Sequence, residues 1–225
     1  MLQHASLPSS SRLVAPEDGS FRIGGDSDVL TSIHDPSVNV AIWARLLPPD
    51  LGPEIAARAS RKDDFEGIFD AAEIKEGRLF DPADEASPLR ADVGRLLQLF
   101  AALSGVPRIQ VFFGAVRNDQ CRKFHVDYVR LRLVTTYLGP GTEWLPEDAV
   151  CREELDLAPP SPAEANRRIV RDASKIRRAN AGDVVLLKGE RYPDHERAAV
   201  HRSPPIQELG LTRVVLVATT YDKGS

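Results

Sequence analysis

Apolar residues recur along this chain with two different spacings, and the change from one to the other falls near its middle. Within 91–103, Val93, Leu96, Leu97, Phe100 and Leu103 stand at helical intervals and predict an amphipathic helix. Ser104-Gly105-Val106-Pro107 predicts its end, since neither Gly nor Pro favours continuation. Good helix formers over 51–59 predict a second helix. Upstream, Val38, Val40, Ile42 and Ala44 alternate with Asn39, Ala41 and Trp43, which predicts a strand within 38–47, stopped by Pro48-Pro49. Past Pro107 the texture becomes β. Strands are predicted over 109–116, along the run 124–137, over 184–187 and over 213–221. Turn chemistry separates them at Gly139-Pro140-Gly141, 158–162, Gly182-Asp183 and Ser203-Pro204-Pro205. Such spacing predicts an antiparallel sandwich or barrel with the upstream helices packed outside it, a mainly β chain of the α+β class.

The segment 1–35 is rich in Ser, Gly, Asp and Pro and reads as an irregular lead-in. Residues 36–105 read as a helical part packed on the barrel and 106–225 as the β core, together one integrated domain over 36–225. The stretch 167–178 holds six basic residues. It reads as a helix with Ile169, Ala173 and Ile176 on one side and a solvated basic face on the other, or as a segment that ends in a strand.

Composition narrows the function classes. The chain has 225 residues, 29 basic against 33 acidic side chains and a formal net charge of −4. That balance makes nucleic acid an unlikely partner. Two cysteines, Cys121 and Cys151, are too few for a disulfide framework, and the N-terminal region lacks an apolar signal core, so a cytoplasmic protein is expected. No run of residues is apolar and long enough to predict a membrane span. Oligomeric state is not legible.

The candidate chemistry lies in His125, Asp127 and His201. Side chains at i and i+2 of a strand share a face, so an HxD pair can converge on one ion if a third ligand arrives from another strand. Two imidazoles and one carboxylate form a facial triad that leaves adjacent positions of an octahedral ion open, as Fe(II) chemistry requires. An HxD pair alone is a weak signal, because a half-buried histidine, a capping aspartate and a loop histidine would account for these residues as well. Strict alternation from His125 and Asp127 turns Arg130 and Arg132 away from the metal side and Leu131, Leu133, Thr135 and Tyr137 toward it. A bend after Asp127 reverses that count.

The order of the surrounding features adds weight. After HVD come LRLVTTYLGPGTEWL, the GDVVLLKG turn and strand, AVHRSPP and TRVVLVATTY. Over about 106–225 this set resembles the double-stranded β-helix, the jelly-roll or cupin-like core of Fe(II)/2-oxoglutarate-dependent oxygenases. More narrowly, CRKFHVDYVRLRLVTTYLGPGTEWL and AAVHRSPP are similar to the bacterial family of unknown function numbered 1826, whose name supplies no activity. The oxygenase resemblance implies that His125, Asp127 and His201 hold Fe(II) as metal and catalytic residues. It also implies a co-substrate, 2-oxoglutarate, whose far carboxylate meets Arg213, with Tyr137, Thr142 and Trp144 at the positions of the family's turn and aromatic residues. The implied reaction is decarboxylation of 2-oxoglutarate to succinate coupled to hydroxylation of an unidentified small molecule or peptide. The chain departs from the pattern in a slightly longer interval from His201 to Arg213 and in Val215 where Ser or Thr is common. Two other readings use the same barrel. One is a non-catalytic accessory or sensor protein whose triad binds zinc or another divalent ion, and the other is a binding module in which His201 points away from the HxD pair.

Overall fold

A computed structural model describes residues 19–79, 87–119, 121–157, 161–193 and 195–221. Its main element is a seven-stranded sheet built from β1 (Phe21–Gly24), β2 (Val40–Trp43), β3 (Phe65–Asp70), β4 (Arg108–Val116), β5 (Leu131–Leu138), β8 (Val184–Lys188) and β10 (Arg213–Thr220). The spatial order is β1-β2-β8-β5-β10-β4-β3. Every neighbouring pair is antiparallel except β1 with β2, which is parallel. A second sheet of three short strands has β6 (Glu143–Trp144) between β7 (Arg177–Arg178) and β9 (His201–Arg202). The α-helices among the described residues are α1 (Gly52–Ser60), α2 (Ala71–Lys75), α3 (Pro88–Ser104) and α4 (Pro162–Ile169). The chain is thus a β-rich α+β protein. Among the described residues no helix is long and apolar enough to cross a membrane.

Helix α3 covers one face of the large sheet, and its limits follow from local chemistry. Ser87 accepts the N–H of Arg90 at 3.2 Å, Pro88 occupies the first turn, and Gly105 ends the helix in the left-handed region at φ 62°. The apolar stripe Val93, Leu96, Leu97 and Phe100 is wholly buried against Leu131, Leu133 and Tyr137 of β5, Leu186 of β8 and Leu216 of β10. Each such side chain contributes roughly 1.5–3 kcal/mol of transfer free energy. On the opposite face Val40, Ile42, Val134, Val185 and Leu187 pack against Phe21, Trp144, Ala179 and Ala199. Central strands β8 and β10 are buried on both faces, which explains their unbroken apolar runs.

Several expectations need correction. Residues 21–34, read as irregular, form β1 and a 3-10 helix over Ser27–His34 that buries Val29, Leu30 and Ile33. The packing of those three residues in the helix-side core decides the matter over a polar composition. Residues 1–18 of that lead-in and 158–160 of the proline-rich turn lie outside the described residues. Strand β3 was not foreseen: its inward positions Phe65, Gly67 and Phe69 alternate with Glu66, Ile68 and Asp70 on an edge, where a strand can carry charge. Of the two readings of 167–178, the one that ends in a strand is borne out. Helix α4 ends at Ile169, a 3-10 turn covers Ala173–Lys175, and β7 follows.

A buried polar cluster pins α3 to the sheet. Asp92 accepts a bidentate pair from Arg45 at 2.7 and 2.8 Å and the Tyr137 hydroxyl at 2.7 Å. Burial raises the Asp92 carboxyl, but the hydrogen bonds from Arg45 and Tyr137 and the charges of Arg45 and Arg95 outweigh it and hold the group below the usual carboxylate range. Asp92→Ala leaves Arg45 buried and unpaired, so urea unfolding should show a loss of about 3–5 kcal/mol. Because the folded carboxyl is depressed, that difference persists at neutral pH and shrinks as pH falls below about 4, where the wild type loses the same interaction. Arg95→Ala, at an exposed side chain, should cost under about 1 kcal/mol. Equal losses in the two variants would contradict this assignment.

Candidate metal centre

The two histidines of the triad face each other across a pair of backbone hydrogen bonds. The His125 N–H donates to the His201 carbonyl at 3.0 Å, and the His201 N–H donates to the His125 carbonyl at 3.0 Å. This antiparallel pairing puts both side chains on the same side of the bridge, with ring centroids 4.7 Å apart. Each ring is then oriented by its own chain. His125 Nδ1 meets the Lys123 carbonyl at 2.8 Å and His201 Nδ1 meets the Ala199 carbonyl at 3.1 Å. A carbonyl only accepts, so each Nδ1 carries a proton and Nε2 is the ring nitrogen turned toward Asp127. His201 Nε2 lies 3.3 Å from Asp127 Oδ2 and His125 Nε2 lies 3.6 Å from Asp127 Oδ1. The three ligand atoms lie within 4.8 Å of one another.

Asp127 reaches this point because the chain bends there. The predicted strand over 124–137 begins only at Leu131, and among the described residues His125 has just the bridge to His201. The physical reason is the turn after β8. Its Glu190 N–H bonds the Asp127 carbonyl at 2.9 Å and its Arg191 N–H bonds the Val129 carbonyl at 3.0 Å, which takes both groups from any flat ladder. Gly189 permits the approach: a Cβ there would stand 2.1 Å from the Val129 oxygen and 2.7 Å from the Asp127 oxygen. The bend reverses the alternation that strict strand geometry gives. Arg132 and Val134 turn to the site side, while Leu131, Leu133 and Tyr137 enter the helix-side core.

A cavity of about 570 Å³ opens beside the triad, lined by His125, His201, Arg132, Thr142 and Arg213. Two of the expected contact residues are elsewhere. Tyr137 lies in the helix-side core with its hydroxyl on Asp92, and Trp144, 1% exposed, packs edge-on against Phe21 at 4.6 Å. The alternation reversal moves Tyr137. Trp144 pairs with His201 in register, but its ring fills the core between the two sheets. Arg213 is buried in the cavity wall, donates Nη2 to Thr136 Oγ1 at 3.1 Å, and its Nε finds no partner. Burial pulls its guanidinium down to about 10, so it stays cationic at neutral pH.

Three further residues shape the site. Arg132 donates Nε to Thr219 Oγ1 at 3.3 Å and places Nη1 2.9 Å from Asp127 Oδ2. Arg202, next to His201, sits over the Phe124 ring at 4.4 Å and donates to Glu143 at 2.7 Å, so it ties together the two segments that carry the histidines. Glu143 also pairs with Arg178 across the small sheet. The sequence weighed Arg132 but turned it away from the metal, and nothing in it singled out Arg202 or Glu143 beyond their nearness to His201 and to the turn after β5.

The donor set fits a divalent ion. Burial raises the Asp127 carboxyl, but the imidazoles of His125 and His201 and the guanidinium of Arg132 outweigh that and hold it far below the usual range. It is therefore ionised, the form a cation needs. Asp127 Oδ2 is buried and accepts no well-formed hydrogen bond, because the nearby Arg132 nitrogen approaches off the favourable direction. Two imidazole Nε2 atoms, which a metal ion binds with release of any proton they carry, and a carboxylate oxygen with spare capacity suit Fe(II) and are also acceptable to zinc. Replacing His125, Asp127 or His201 with Ala should remove tight Fe(II) binding in anaerobic titration while the circular dichroism spectrum stays near wild type. Unchanged affinity in all three variants would disprove the site. Gly189→Ala should weaken Co(II) binding by about tenfold or more, because the Asp127 segment must shift. Wild-type affinity would show that the close approach does not position Asp127.

Among solved structures the chain is similar to a prolyl-4-hydroxylase from Pseudomonas putida, at 15% identity and a TM-score of 0.47, over 87% of this chain and 94% of that one. It is also similar to a bsmA homolog from Methylobium petroleophilum PM1, at 13% identity and a TM-score of 0.42, over 86% and 91% of the two chains. No curated protein matches it. The family model described as protein of unknown function (DUF1826) matches residues 24–218, and the chain belongs to that family.

Proposed function

We propose that this protein is a non-haem Fe(II)- and 2-oxoglutarate-dependent oxygenase. The observation that carries the reading is Arg213: a buried guanidinium with an unpartnered Nε and no carboxylate partner among the described residues, in the wall of the cavity that His125 and His201 also line. A cation left in that state is stabilised by an anion from outside the chain, and a carboxylate matches its planar donors. In this reading the large and small sheets are the two walls of a double-stranded β-helix. Packing of Trp144, Ala179 and Ala199 against Val40, Val134 and Val185 supports that assignment.

The residues divide the work. His125 and His201 through Nε2, with Asp127, hold the ion, and the backbone carbonyls on Nδ1 fix both rings in the binding orientation. Arg132, with Nη1 2.9 Å from Asp127 Oδ2, holds the carboxylate in place beside the two imidazoles. Arg213 anchors the far carboxylate of 2-oxoglutarate, and the apolar floor of Val134, Val215 and Val217 excludes water from the space between. Bound iron supplies the activation of O₂ and the oxidising step, which no side chain here can perform.

Anaerobic addition of Fe(II) and then 2-oxoglutarate should produce the visible charge-transfer band of a chelated ion, absent in His201→Ala. Arg213→Ala should raise the 2-oxoglutarate concentration needed for the band by about tenfold or more and leave Fe(II) affinity near wild type. Tight binding of iron or zinc with no response to 2-oxoglutarate would overturn the oxygenase reading in favour of a non-catalytic metal-binding protein.

A further inference from the structure

The charges around the cavity are unevenly matched. Four guanidinium groups line it, those of Arg117, Arg132, Arg202 and Arg213. Arg132 is matched by Asp127 and Arg202 by Glu143. Asp64, which also lines the cavity, is taken by Arg58 at 2.9 Å and by the Ala115 N–H at 3.1 Å. The neighbouring Asp63 is paired with Arg61. Arg117 and Arg213 are left with no carboxylate partner among the described residues. The reading above gives Arg213 to 2-oxoglutarate. A divalent ion and the 2-oxoglutarate dianion cancel in charge, so the loaded cavity keeps the positive charges of Arg213 and Arg117; the far carboxylate contacts the first, and the guanidinium left with no anionic contact is Arg117.

Arg117 is held as a presented cation rather than a buried one. Its Nη2 donates to the carbonyls of Ala59 at 2.6 Å and Arg61 at 2.9 Å, beyond the end of β4. Those acceptors fix the head group in place without neutralising it. The side chain is exposed, and Asn118 and Ser203 line the same cavity. The cavity volume of about 570 Å³ falls within the roughly 300–1,000 Å³ of small-molecule sites.

We propose that the primary substrate is a small anion, carrying a carboxylate or phosphate group, and that Arg117, at the end of β4, binds that group. The substrate class rests on the oxygenase reading, but anion binding at Arg117 requires neither iron nor turnover. The probes are inorganic phosphate and acetate, added separately to metal-free full-length protein at fixed ionic strength and followed by NMR line broadening. Phosphorus resonances report the first probe and carbon resonances of labelled acetate the second. Broadening is expected with at least one probe, and the more strongly broadened one identifies the preferred anion chemistry. Arg117→Gln should weaken that binding by about tenfold or more, the scale of one charge-assisted contact. Because Arg117→Gln also removes contacts to the end of α1, two variants that keep those contacts accompany it. Arg117→Lys should retain most of the binding, and Asn118→Asp, which places a carboxylate beside the intact guanidinium, should lose it.

No broadening in the wild type, or broadening lost in Arg213→Gln but retained in both Arg117→Gln and Asn118→Asp, would overturn the assignment to Arg117. Either result leaves the charge-transfer test of the oxygenase reading standing, so the two failures are distinguishable.

Discussion

The site depends on two reciprocal backbone hydrogen bonds between His125 and His201. They are the only strand-like contact His125 makes among the described residues, and β9 is two residues long, so the pairing has little ladder to support it. A one-residue slip would turn one imidazole to the far side and dissolve the triad. Neighbouring contacts resist that slip. The Leu145 N–H donates to the Val200 carbonyl at 3.0 Å, the Ala199 N–H to the Lys188 carbonyl at 2.8 Å and the Ser203 N–H to the Cys121 carbonyl at 3.1 Å. Arg202, stacked on Phe124 and bonded to Glu143, locks the same register from the side-chain direction.

The alternation of β5 then separates two tasks. Leu131, Leu133 and Tyr137 face α3 and stabilise the fold, whereas Arg132 and Val134 face the cavity. Two carboxylates matched by arginine can be compared: Asp92 on the helix side, where every donor is intramolecular, and the partly buried Asp127 on the cavity side, where one oxygen has spare capacity. The same residue type is structural in one place and available to a ligand in the other. What differs is whether its surroundings satisfy it, which is a property of packing and not of local sequence.

That distinction also explains how much could be read from the sequence. Helix α3 was legible because its stripe and its Gly105 stop agree, although its start at Pro88 was not read, and the strands at β4, β8 and β10 were legible from continuous β-branched runs. The triad residues were legible from type and order, and their convergence followed. The bend after Asp127 was not, because it is imposed by N–H groups from residues 190 and 191, some 60 positions away in the chain. Its consequence was an exchange of faces between Arg132 and Tyr137. Strand β1 and the 3-10 helix at Ser27–His34 were hidden by a polar composition, although Leu30 and Ile33 are wholly buried. Thr142 and Arg213 line the cavity, whereas the side chains of Tyr137 and Trp144 lie in the two cores.

The central claim is an open facial metal site, so the most direct measurement is its coordination. Crystals grown with Mn(II) in place of iron and with 2-oxoglutarate would locate the ion by anomalous scattering. The account requires one ion bound by His125 Nε2, His201 Nε2 and a single oxygen of Asp127, with the remaining positions taken by 2-oxoglutarate and water and the far carboxylate on Arg213. An ion closed off by a fourth protein ligand, or no ion between these residues, would contradict it.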